Sequence, residues 1–379
     1  MRKIYKLSEI ASIYSGITPS TKNEDYYKDG SISWITPKDL SNYTSKYIVK
    51  GERSVTEKAL KETTLKVLPK DTVLLSSRAP IGYVAIAANE LTTNQGFKCF
   101  VCNEKIIKPD YLYYFLKSKK DYIETFANGT TFKELSLTAA KNLEILLPSI
   151  EEQEEIINKL NNIDKLLEIN NKIKKDLISM GENYYQMYIQ TKQTQEFEIG
   201  NVVDILGGGT PNTQVQEYWI NGDILWYTPT DVSRDEGIFL INSSRKITKY
   251  GLDNSSAKII PVKSLMITSR ATIGEIGINL EEATTNQGFI NIVANSKVPL
   301  SYLYFWAKTN KWKFISISNG STFKEINKKD FKKIPIMIPV EFNEFINWMN
   351  PIFEKVENIA LQNAQLKELK DLLIKKLIV

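Results

Sequence analysis

Two stretches of the chain place apolar residues in alternating steps of four and three, one within residues 151–190 and one within residues 341–379. The first series is Ile156, Leu160, Ile163, Leu167, Asn170, Ile173, Leu177, Met180, Tyr184 and Met187. The second series is Phe345, Met349, Ile352, Val356, Ile359, Asn363, Leu366, Leu373 and Leu377. Heptad spacing sustained over more than four repeats predicts two long coiled-coil helices.

Each series contains one asparagine, Asn170 in the first and Asn363 in the second. A buried asparagine in a coiled coil costs stability and fixes the register of the helices, and we assign that role to this pair. Pro351 lies inside the second series, where a proline should kink a helix. Two ordinary amphipathic helices packed on a globular core therefore remain the alternative.

The residues that precede each long helix follow a different pattern. Short β-type runs, bounded by glycine, proline and asparagine, predict strands at 72–76, 82–87, 97–101, 264–268 and 289–293. In the first half of the chain, helical stretches follow near 109–120 and 136–142. We therefore expect α+β globular domains, each with a twisted sheet.

The hexapeptide TTNQGF occurs at 92–97 and again at 284–289. Sliding the sequence by 192 residues also aligns GITPST with GGTPNT, ISWITPKDL with ILWYTPTDV, and SSRAPIGYVAI with TSRATIGEIGI. The chain is thus a tandem repeat of one module, with globular domains at 1–150 and 191–340 and spacer helices at 151–190 and 341–379. Two like modules tend to be related by a pseudo-twofold axis, which makes the two long helices antiparallel.

Composition narrows the possible chemistry. The chain has no histidine, which removes catalytic triads, Cys–His dyads and histidine-based acid–base catalysis. It has neither a phosphate-binding loop of the G-x-x-x-x-G-K-[ST] type nor a G-x-G-x-x-G fingerprint. Carboxylate or lysine chemistry remains possible in principle, but nothing marks a site for it, so we expect neither catalytic residues nor a bound cofactor.

Cys99 and Cys102 are the two cysteines of the chain. A redox pair or half of a zinc site is one interpretation, but the apolar run around them favours two buried strand cysteines on opposite faces. We predict no metal site. A reducing cytoplasm fits this cysteine usage. The sequence also lacks a signal-peptide pattern and an apolar run of the ~20 residues that a membrane helix needs.

Charge is distributed unevenly along the chain. Residues 1–150 carry 22 Lys and Arg against 16 Asp and Glu, and residues 191–340 carry 17 against 14, whereas the two helical segments are net acidic. Basic globular domains suggest a polyanionic partner, although a solvated surface explains the same numbers. Trp34 and Trp226 align across the repeat inside β-type runs, and we expect both in the core.

This layout resembles the specificity subunit of a type I restriction-modification system. The resemblance covers the whole chain and rests on four motifs that occur twice in the same order. They are T-P-x-D (36–39 and 228–231), S-R-A-x-I-G (77–82 and 269–274), T-N-Q-G-F, and N-G-[ST]-T-F-K-E (128–134 and 319–325).

The resemblance implies a protein that reads a bipartite sequence in double-stranded DNA, one half-site per globular domain, with the helices setting the gap. It implies assembly with two methyltransferase (modification) subunits, which use S-adenosylmethionine, and with restriction/translocase subunits, which use ATP. A coiled-coil scaffold without a DNA role is the alternative. A carboxylate nuclease is a third possibility, with Asp39 and Asp231 as its paired candidates, although these more readily hold a turn.

The repeat sorts the candidate DNA contacts, because residues identical in both copies cannot distinguish two different half-sites. Such residues should support the fold or contact phosphates, which position DNA without specifying sequence. They are Arg78, Arg270, Lys133, Lys324, Asn94, Gln95, Asn286 and Gln287. Base readers should lie where the copies diverge, and there we select Lys22, Asn23, Lys46, Arg53, Gln214, Gln216, Arg234, Arg245 and Lys246.

Overall fold

A computed structural model describes residues 2–41, 43, 45–129, 133–234, 237–270, 272–318 and 324–378, with the side chain of Arg234 left out. The chain divides into two compact units. The first comprises Met1–Lys165 and Glu368–Val379, and the second comprises Leu166–Lys367. Each unit contains one globular domain together with a segment of both long helices.

The globular part of the first unit alternates short strands with short helices. Its strands are β1 (Lys3–Lys6), β2 (Ala11–Ser15), β3 (Ile32–Ile35), β4 (Tyr47–Ile48), β5 (Arg53–Val55), β6 (Val73–Ser77), β7 (Ile81–Ala87), β8 (Thr92–Thr93), β9 (Phe97–Cys102) and β10 (Glu144–Leu147). Its helices are α1 (Leu7–Ile10), α2 (Glu57–Glu62), α3 (Pro109–Ser118), α4 (Lys120–Thr125) and α5 (Leu137–Lys141). The predicted strands and helices are confirmed to within a few residues at their ends.

Three sheets form in the described part of this domain. The largest has the order β2-β9-β6-β7-β4, a second has the order β5-β3-β8, and β1 pairs with β10. Strand β6 is buried along its whole length because both of its faces are covered. One layer packs Val73 and Leu75 against Tyr111 of α3, and the other packs Leu74 and Cys99 beside Ile35.

The second unit repeats this arrangement. After the long helix α6 (Ile150–Thr191), its strands are β11 (Thr194–Glu198), β12 (Asp204–Gly207), β13 (Ile224–Tyr227), β14 (Phe239–Leu240), β15 (Arg245–Ile247), β16 (Leu265–Thr268), β17 (Ile276–Asn279), β18 (Ala283–Thr285), β19 (Phe289–Val293) and β20 (Pro335–Pro339). Its helices are α7 (Pro229–Arg234), α8 (Lys249–Asp253), α9 (Leu300–Thr309), α10 (Lys311–Ser316), α11 (Lys328–Phe331) and the long α12 (Asn343–Leu377). The sheet orders β12-β19-β16-β17-β14, β15-β13-β18 and β11-β20 match those of the first unit strand for strand.

The two long helices are present, and within the second unit they run antiparallel. Asn170 lies beside Asn363, and Lys192 near the end of α6 pairs with Glu344 near the start of α12. Helix α12 continues through Pro351 without interruption. No helix in the described part of the chain is long and apolar enough to cross a membrane.

The predicted apolar seam of α6 holds as far as Asn170 and is wrong beyond it. Ile156, Leu160 and Ile163 are buried, but Met180 and Met187 are 51% and 50% exposed. The buried positions are instead Ile178, Gly181, Tyr185 and Tyr188. Beyond Asn170 the buried positions are displaced by one residue from the predicted seam, which is the direction in which a helix of 3.6 residues per turn drifts from a 3.5-residue repeat.

The cause of this shift is the packing of α6 on the globular core of the second unit. A Cβ atom at Gly181 would lie 2.4 Å from the ring of Phe305 on α9, so the glycine permits a close approach of the two helices. Tyr185 packs against Tyr302 and Phe305 at centroid distances of 5.0 and 6.0 Å. This part of α6 therefore belongs to a globular core, as the amphipathic-helix alternative proposed.

Candidate nucleic-acid interface

The repeated motifs converge on one cluster in the first domain, centred on the TNQG turn at 93–96. The amide of Ile17 donates to Thr93 O at 2.9 Å, which joins to this turn the repeated G-x-T-P loop (16–19 and 208–211). The amide of Asn94 donates to Ile35 O at 2.9 Å, next to the T-P-x-D segment. The amide of Ser77 donates to Gly96 O at 2.7 Å, which brings in the S-R-A turn.

The second domain builds the same cluster with the equivalent residues. Gly209 N donates to Thr285 O at 2.8 Å, and Asn286 N donates to Tyr227 O at 2.9 Å. Ser269 N donates to Gly288 O at 2.8 Å. Motifs that are far apart in sequence therefore form one surface in each domain, which we call the motif cluster.

The asparagines and glutamines of T-N-Q-G-F have different roles. Asn94 Oδ1 accepts from Gly96 N at 2.9 Å, and Asn286 Oδ1 accepts from Gly288 N at 2.8 Å, so both asparagines close the turn. Gln95 and Gln287 are exposed, and each accepts a hydrogen bond from the threonine of G-x-T-P, Thr18 or Thr210. Of the four amide side chains, the two glutamines are therefore the ones held at the surface of the motif cluster.

Arg78 and Arg270 lie beside the cluster, and each pairs with the glutamate of its own F-K-E segment. The Arg78–Glu134 distance is 3.7 Å and the Arg270–Glu325 distance is 2.7 Å, with all four side chains partly exposed. A phosphate would have to share or displace this carboxylate.

The lysines of the same segments are exposed, and Lys133 lies 3.9 Å from Glu124, whereas Lys324 has no ion pair within the described residues. The residues just before them, 130–132 and 319–323, lie outside the described residues. In both copies the part of the N-G-[ST]-T-F-K-E motif that can be placed is therefore its final lysine and glutamate.

The aspartates of T-P-x-D hold turns, as predicted. Asp39 Oδ2 accepts from the amide and the hydroxyl of Thr36, each at 2.7 Å, and its Oδ1 accepts from Glu52 N at 2.7 Å. Asp231 makes the same contacts with Thr228 and Ser244. Burial alone would raise the pKa of Asp231, but these hydrogen bonds outweigh it and hold the pKa below its usual value. Both carboxylates are structural, which removes the basis of the nuclease hypothesis.

Four base-reading candidates lie in the loop that follows G-x-T-P. Lys22, Gln214 and Gln216 are exposed there, and Asn23 accepts a hydrogen bond from Asp25 N at 3.2 Å and thereby starts a short 3-10 turn. Lys22 and Gln214 occupy equivalent positions and differ in chemistry. This pair therefore meets the criterion for base readers.

Lys46 lies elsewhere. Its side chain is 11% exposed, and its Nζ lies 2.5 Å from both Asp110 Oδ1 and Asn161 Oδ1, which ties the edge strand β4 to α3 and α6. These contacts explain the position of the Lys46 side chain without DNA. The prediction of Lys46 as a base reader is corrected accordingly.

Of the remaining candidates, Lys246 is exposed on β15, and Arg234 ends α7 with its side chain outside the described residues. Arg53 and Arg245 need a different correction, because they occupy equivalent positions. Arg53 lies opposite Trp34 in the pairing of β5 with β3, and Arg245 lies opposite Trp226 in the pairing of β15 with β13. They are identical across the repeat and therefore cannot distinguish two half-sites.

The predicted core positions are confirmed. Trp34 and Trp226 are 2% and 4% exposed. Cys99 is buried and Cys102 partly buried, on opposite faces of β9, and burial raises the pKa of each thiol to about 12. Within the described residues, no group of three or more acidic or cysteine side chains could hold a metal ion.

Lys98, a charged residue beside the motif cluster of the first domain, was not among the predicted site residues. Lys98 lies inside β9 at 3% exposure, and its Nζ donates to Ser77 Oγ at 3.2 Å beneath the S-R-A turn. Burial lowers its pKa, partly offset by the charge of Glu134. The equivalent residue of the second domain is Ile290. A lysine within the apolar run FKCFVC was the signal available in the sequence.

Comparison with known proteins identifies the family. The model of the family described as "Type I restriction modification DNA specificity domain" matches residues 2–178 and again residues 191–371. The type I restriction enzyme MjaIX specificity subunit of Methanocaldococcus jannaschii is 32% identical over 405 residues, covering 99% of this chain and 92% of that protein. The type I restriction enzyme HindI specificity subunit of Haemophilus influenzae is 25% identical over 185 residues, covering 48% of this chain and 40% of that protein.

The solved structure of a type I restriction-modification system S subunit from M. genitalium has the same fold. It matches 100% of this chain and 96% of its own with a TM-score of 0.58, at 17% sequence identity. The chain belongs to the family of type I restriction-modification specificity subunits. The predicted family, its two-domain α+β fold and its role as a DNA-recognition subunit without catalysis of its own are confirmed.

Proposed function

We propose that the chain reads a bipartite target in double-stranded DNA, with one half-site bound by each globular domain. The observation that carries this proposal is the motif cluster, which is built twice from the same residues and is bordered in each domain by a loop whose residues differ. A common cluster suits contacts to the DNA backbone, and the divergent loops suit contacts to bases. Lys22 in the first domain and Gln214 in the second are the leading base readers.

The chain acts as an adaptor in this proposal. Two methyltransferase subunits that bind S-adenosylmethionine dock on the long helices, and restriction/translocase subunits that bind ATP join the assembly. Support comes from apolar side chains that the long helices leave 38–57% exposed, a typical feature of helical docking surfaces. They are Leu166, Ile169, Ile173, Met180 and Met187 on α6, and Leu361, Leu369 and Leu372 on α12.

Binding to DNA duplexes tests the proposal. The chain, assembled with its modification subunits, should bind a duplex that carries both half-sites about 10³-fold or more tightly than unrelated DNA. Scrambling either half should reduce the affinity to the non-specific level, because each half supplies its own base contacts. Tight binding that ignores the sequence of one half would contradict the assignment of one half-site to each domain.

A further inference from the structure

Two exposed arginines each lie over a pair of aromatic rings. The guanidinium carbon of Arg53 is 4.6 Å from the ring centroid of Tyr27 and 5.1 Å from that of Trp34. The guanidinium carbon of Arg245 is 3.6 Å from the ring centroid of Trp219 and 5.6 Å from that of Trp226. Within the described residues neither arginine forms an ion pair with a carboxylate, in contrast to Arg78 and Arg270.

The arginine is the same in both domains, whereas the residues on either side of it differ. Glu52 and Ser54 flank Arg53, whereas Ser244 and Lys246 flank Arg245. The aromatic partners are kept in kind, with Tyr27 replaced by Trp219. An arginine that only covered the aromatic rings could be replaced by an uncharged side chain. Both domains nevertheless have an arginine at this position.

Hydrogen bonds connect each stack to the motif cluster of its own domain. Trp34 Nε1 donates to Ile17 O at 3.0 Å, and the next residue, Thr18, donates to the exposed Gln95. In the second domain, Trp226 Nε1 donates to Gly209 O at 3.0 Å, and Thr210 donates to Gln287. In both domains, a ring that contacts the arginine is therefore hydrogen-bonded to the loop whose threonine holds the exposed glutamine.

A stacked guanidinium has specific chemistry. Contact with the rings restricts the side chain, so less side-chain entropy is lost on binding, and the guanidinium itself is a rigid planar fork of N–H donors. This fork matches the two acceptor oxygens of a phosphate or the O6 and N7 atoms of guanine. A contact shared by two domains that read different half-sites favours the phosphate, because phosphates are present at every site.

We propose that Arg53 and Arg245 are matched phosphate clamps, one in each domain, that fix the register of the DNA backbone against the motif cluster. This inference rests on the proposed DNA-reading function. It replaces the base-reading role that the sequence suggested for both residues.

The test uses Arg53→Met, Arg245→Met and the double variant in the complete assembly. Methionine retains an unbranched apolar stem over the rings and removes the charge. Affinities for the bipartite duplex and for unrelated DNA are measured over a range of salt concentrations. Each clamp should reduce the slope of log Kobs against log [salt] by about 0.9, and the double variant should lose both contributions. The ratio of specific to non-specific affinity should stay within about twofold.

Arg2→Met is the matched control, because Arg2 lies outside the repeated motifs and pairs with Glu152 near the start of α6. Its salt slope should equal that of the unmodified chain. Arg53→Lys covers the case in which a methionine variant unfolds. It keeps the charge and therefore the slope, but the loss of the bidentate fork should weaken binding several-fold on both duplexes.

Two results would overturn the clamp. An unchanged slope with lost discrimination at one base position would assign guanine reading, and unchanged binding in all variants would leave the arginines as covers for the rings. Failure of the unmodified assembly to prefer the bipartite duplex would instead contradict the proposed function itself.

Discussion

Asn170 donates a hydrogen bond from Nδ2 to Oδ1 of Asn363, at 2.8 Å, between the two long helices. Both side chains are 8% exposed. Asn363 donates in turn to Asn171 Oδ1 at 3.1 Å, and Asn170 also donates to Gln362 Oε1 at 3.0 Å. The two polar positions of the heptad series therefore meet, which is the geometry that fixes register in a coiled coil.

Replacing one asparagine should cost more than replacing both. Asn363→Leu removes one of the two acceptors of the Asn170 amide, leaves only Gln362 Oε1, and should lower the free energy of unfolding by about 1–3 kcal/mol. The double variant Asn170→Leu with Asn363→Leu should recover most of this loss, because two leucines pack without an unpaired polar group. Urea unfolding of Asn363→Leu, Asn170→Leu and the double variant measures both effects. The exposed Asn162→Leu serves as a control with an effect within ±0.5 kcal/mol, and a double variant less stable than either single one would contradict the pairing.

The glutamates that pair with Arg78 and Arg270 should restrain DNA binding. Glu134→Gln and Glu325→Gln remove a carboxylate next to the proposed phosphate contact and should raise the affinity for specific and unrelated DNA alike. Stability should change by less than about 1 kcal/mol, because these ion pairs are exposed.

The matching arginine variants test the same contacts from the other side. Arg78→Ala and Arg270→Ala should each lower the salt slope of binding by about 0.9. Glu152→Gln is the control for an acid-to-amide change at a surface ion pair outside the repeated motifs. Unchanged DNA affinity in all four variants would contradict a phosphate role for these arginines.

Two adjacent glycines should respond differently to the same substitution. A Cβ at Gly208 would lie 2.0 Å from Asn286 O and 2.3 Å from Thr285 Oγ1, whereas a Cβ at Gly207 would have no neighbour within 4 Å. Gly208→Ala should therefore destabilise the second domain by about 1–3 kcal/mol or more. Gly207→Ala should be neutral or slightly stabilising. Thermal unfolding compares the two, and equal midpoints would show that the G-x-T-P loop does not pack on the TNQG turn.

Because of Lys98, the first domain should be more stable at alkaline pH than at neutral pH. Burial lowers the pKa of Lys98 in the folded state. At neutral pH the charged ammonium is therefore less favourable in the folded state than in the unfolded state. As pH rises through the lowered folded pKa toward the ordinary lysine value of 10.5, this penalty is relieved. Lys98→Met should therefore be more stable than the parent at neutral pH, by about 1–3 kcal/mol, and the difference should shrink at alkaline pH.

Denaturant unfolding at several pH values measures this difference. Lys105→Met, at an exposed position just after β9, should show none of this pH dependence. A variant less stable than the parent throughout the pH range would mean that the Ser77 contact outweighs the burial of the charge.

The elements and motifs were predictable because each has a local signal. Strands β6 and β9 follow apolar runs, the long helices follow the 4–3 spacing, and the motif cluster consists of segments that occur twice. The seam beyond Asn170 was not predictable, because Gly181 and Tyr185 face Phe305 only in the folded second unit. The periodicity of a sequence shows which residues are apolar, but it does not show which part of the protein packs against them.

Side-chain assignments failed for a related reason. Lys46 has the composition of a DNA contact, but its partners Asp110 and Asn161 are distant in sequence. The equivalence of Arg53 and Arg245 was visible in the alignment of the two copies, whereas their stacking on aromatic rings follows from strand register. The sequence therefore indicated which segments come together in each domain better than it indicated the surroundings of individual side chains.

In the proposed function, this chain directs modification to one bipartite sequence, with one half for each globular domain. The most direct measurement is a genome-wide map of methylated adenines in the source organism, compared with a strain from which this gene is deleted. We expect one motif, consisting of two short blocks separated by a fixed gap, to lose its methylation completely in the deletion strain. An unchanged methylation map, or loss at a single contiguous motif, would contradict the account.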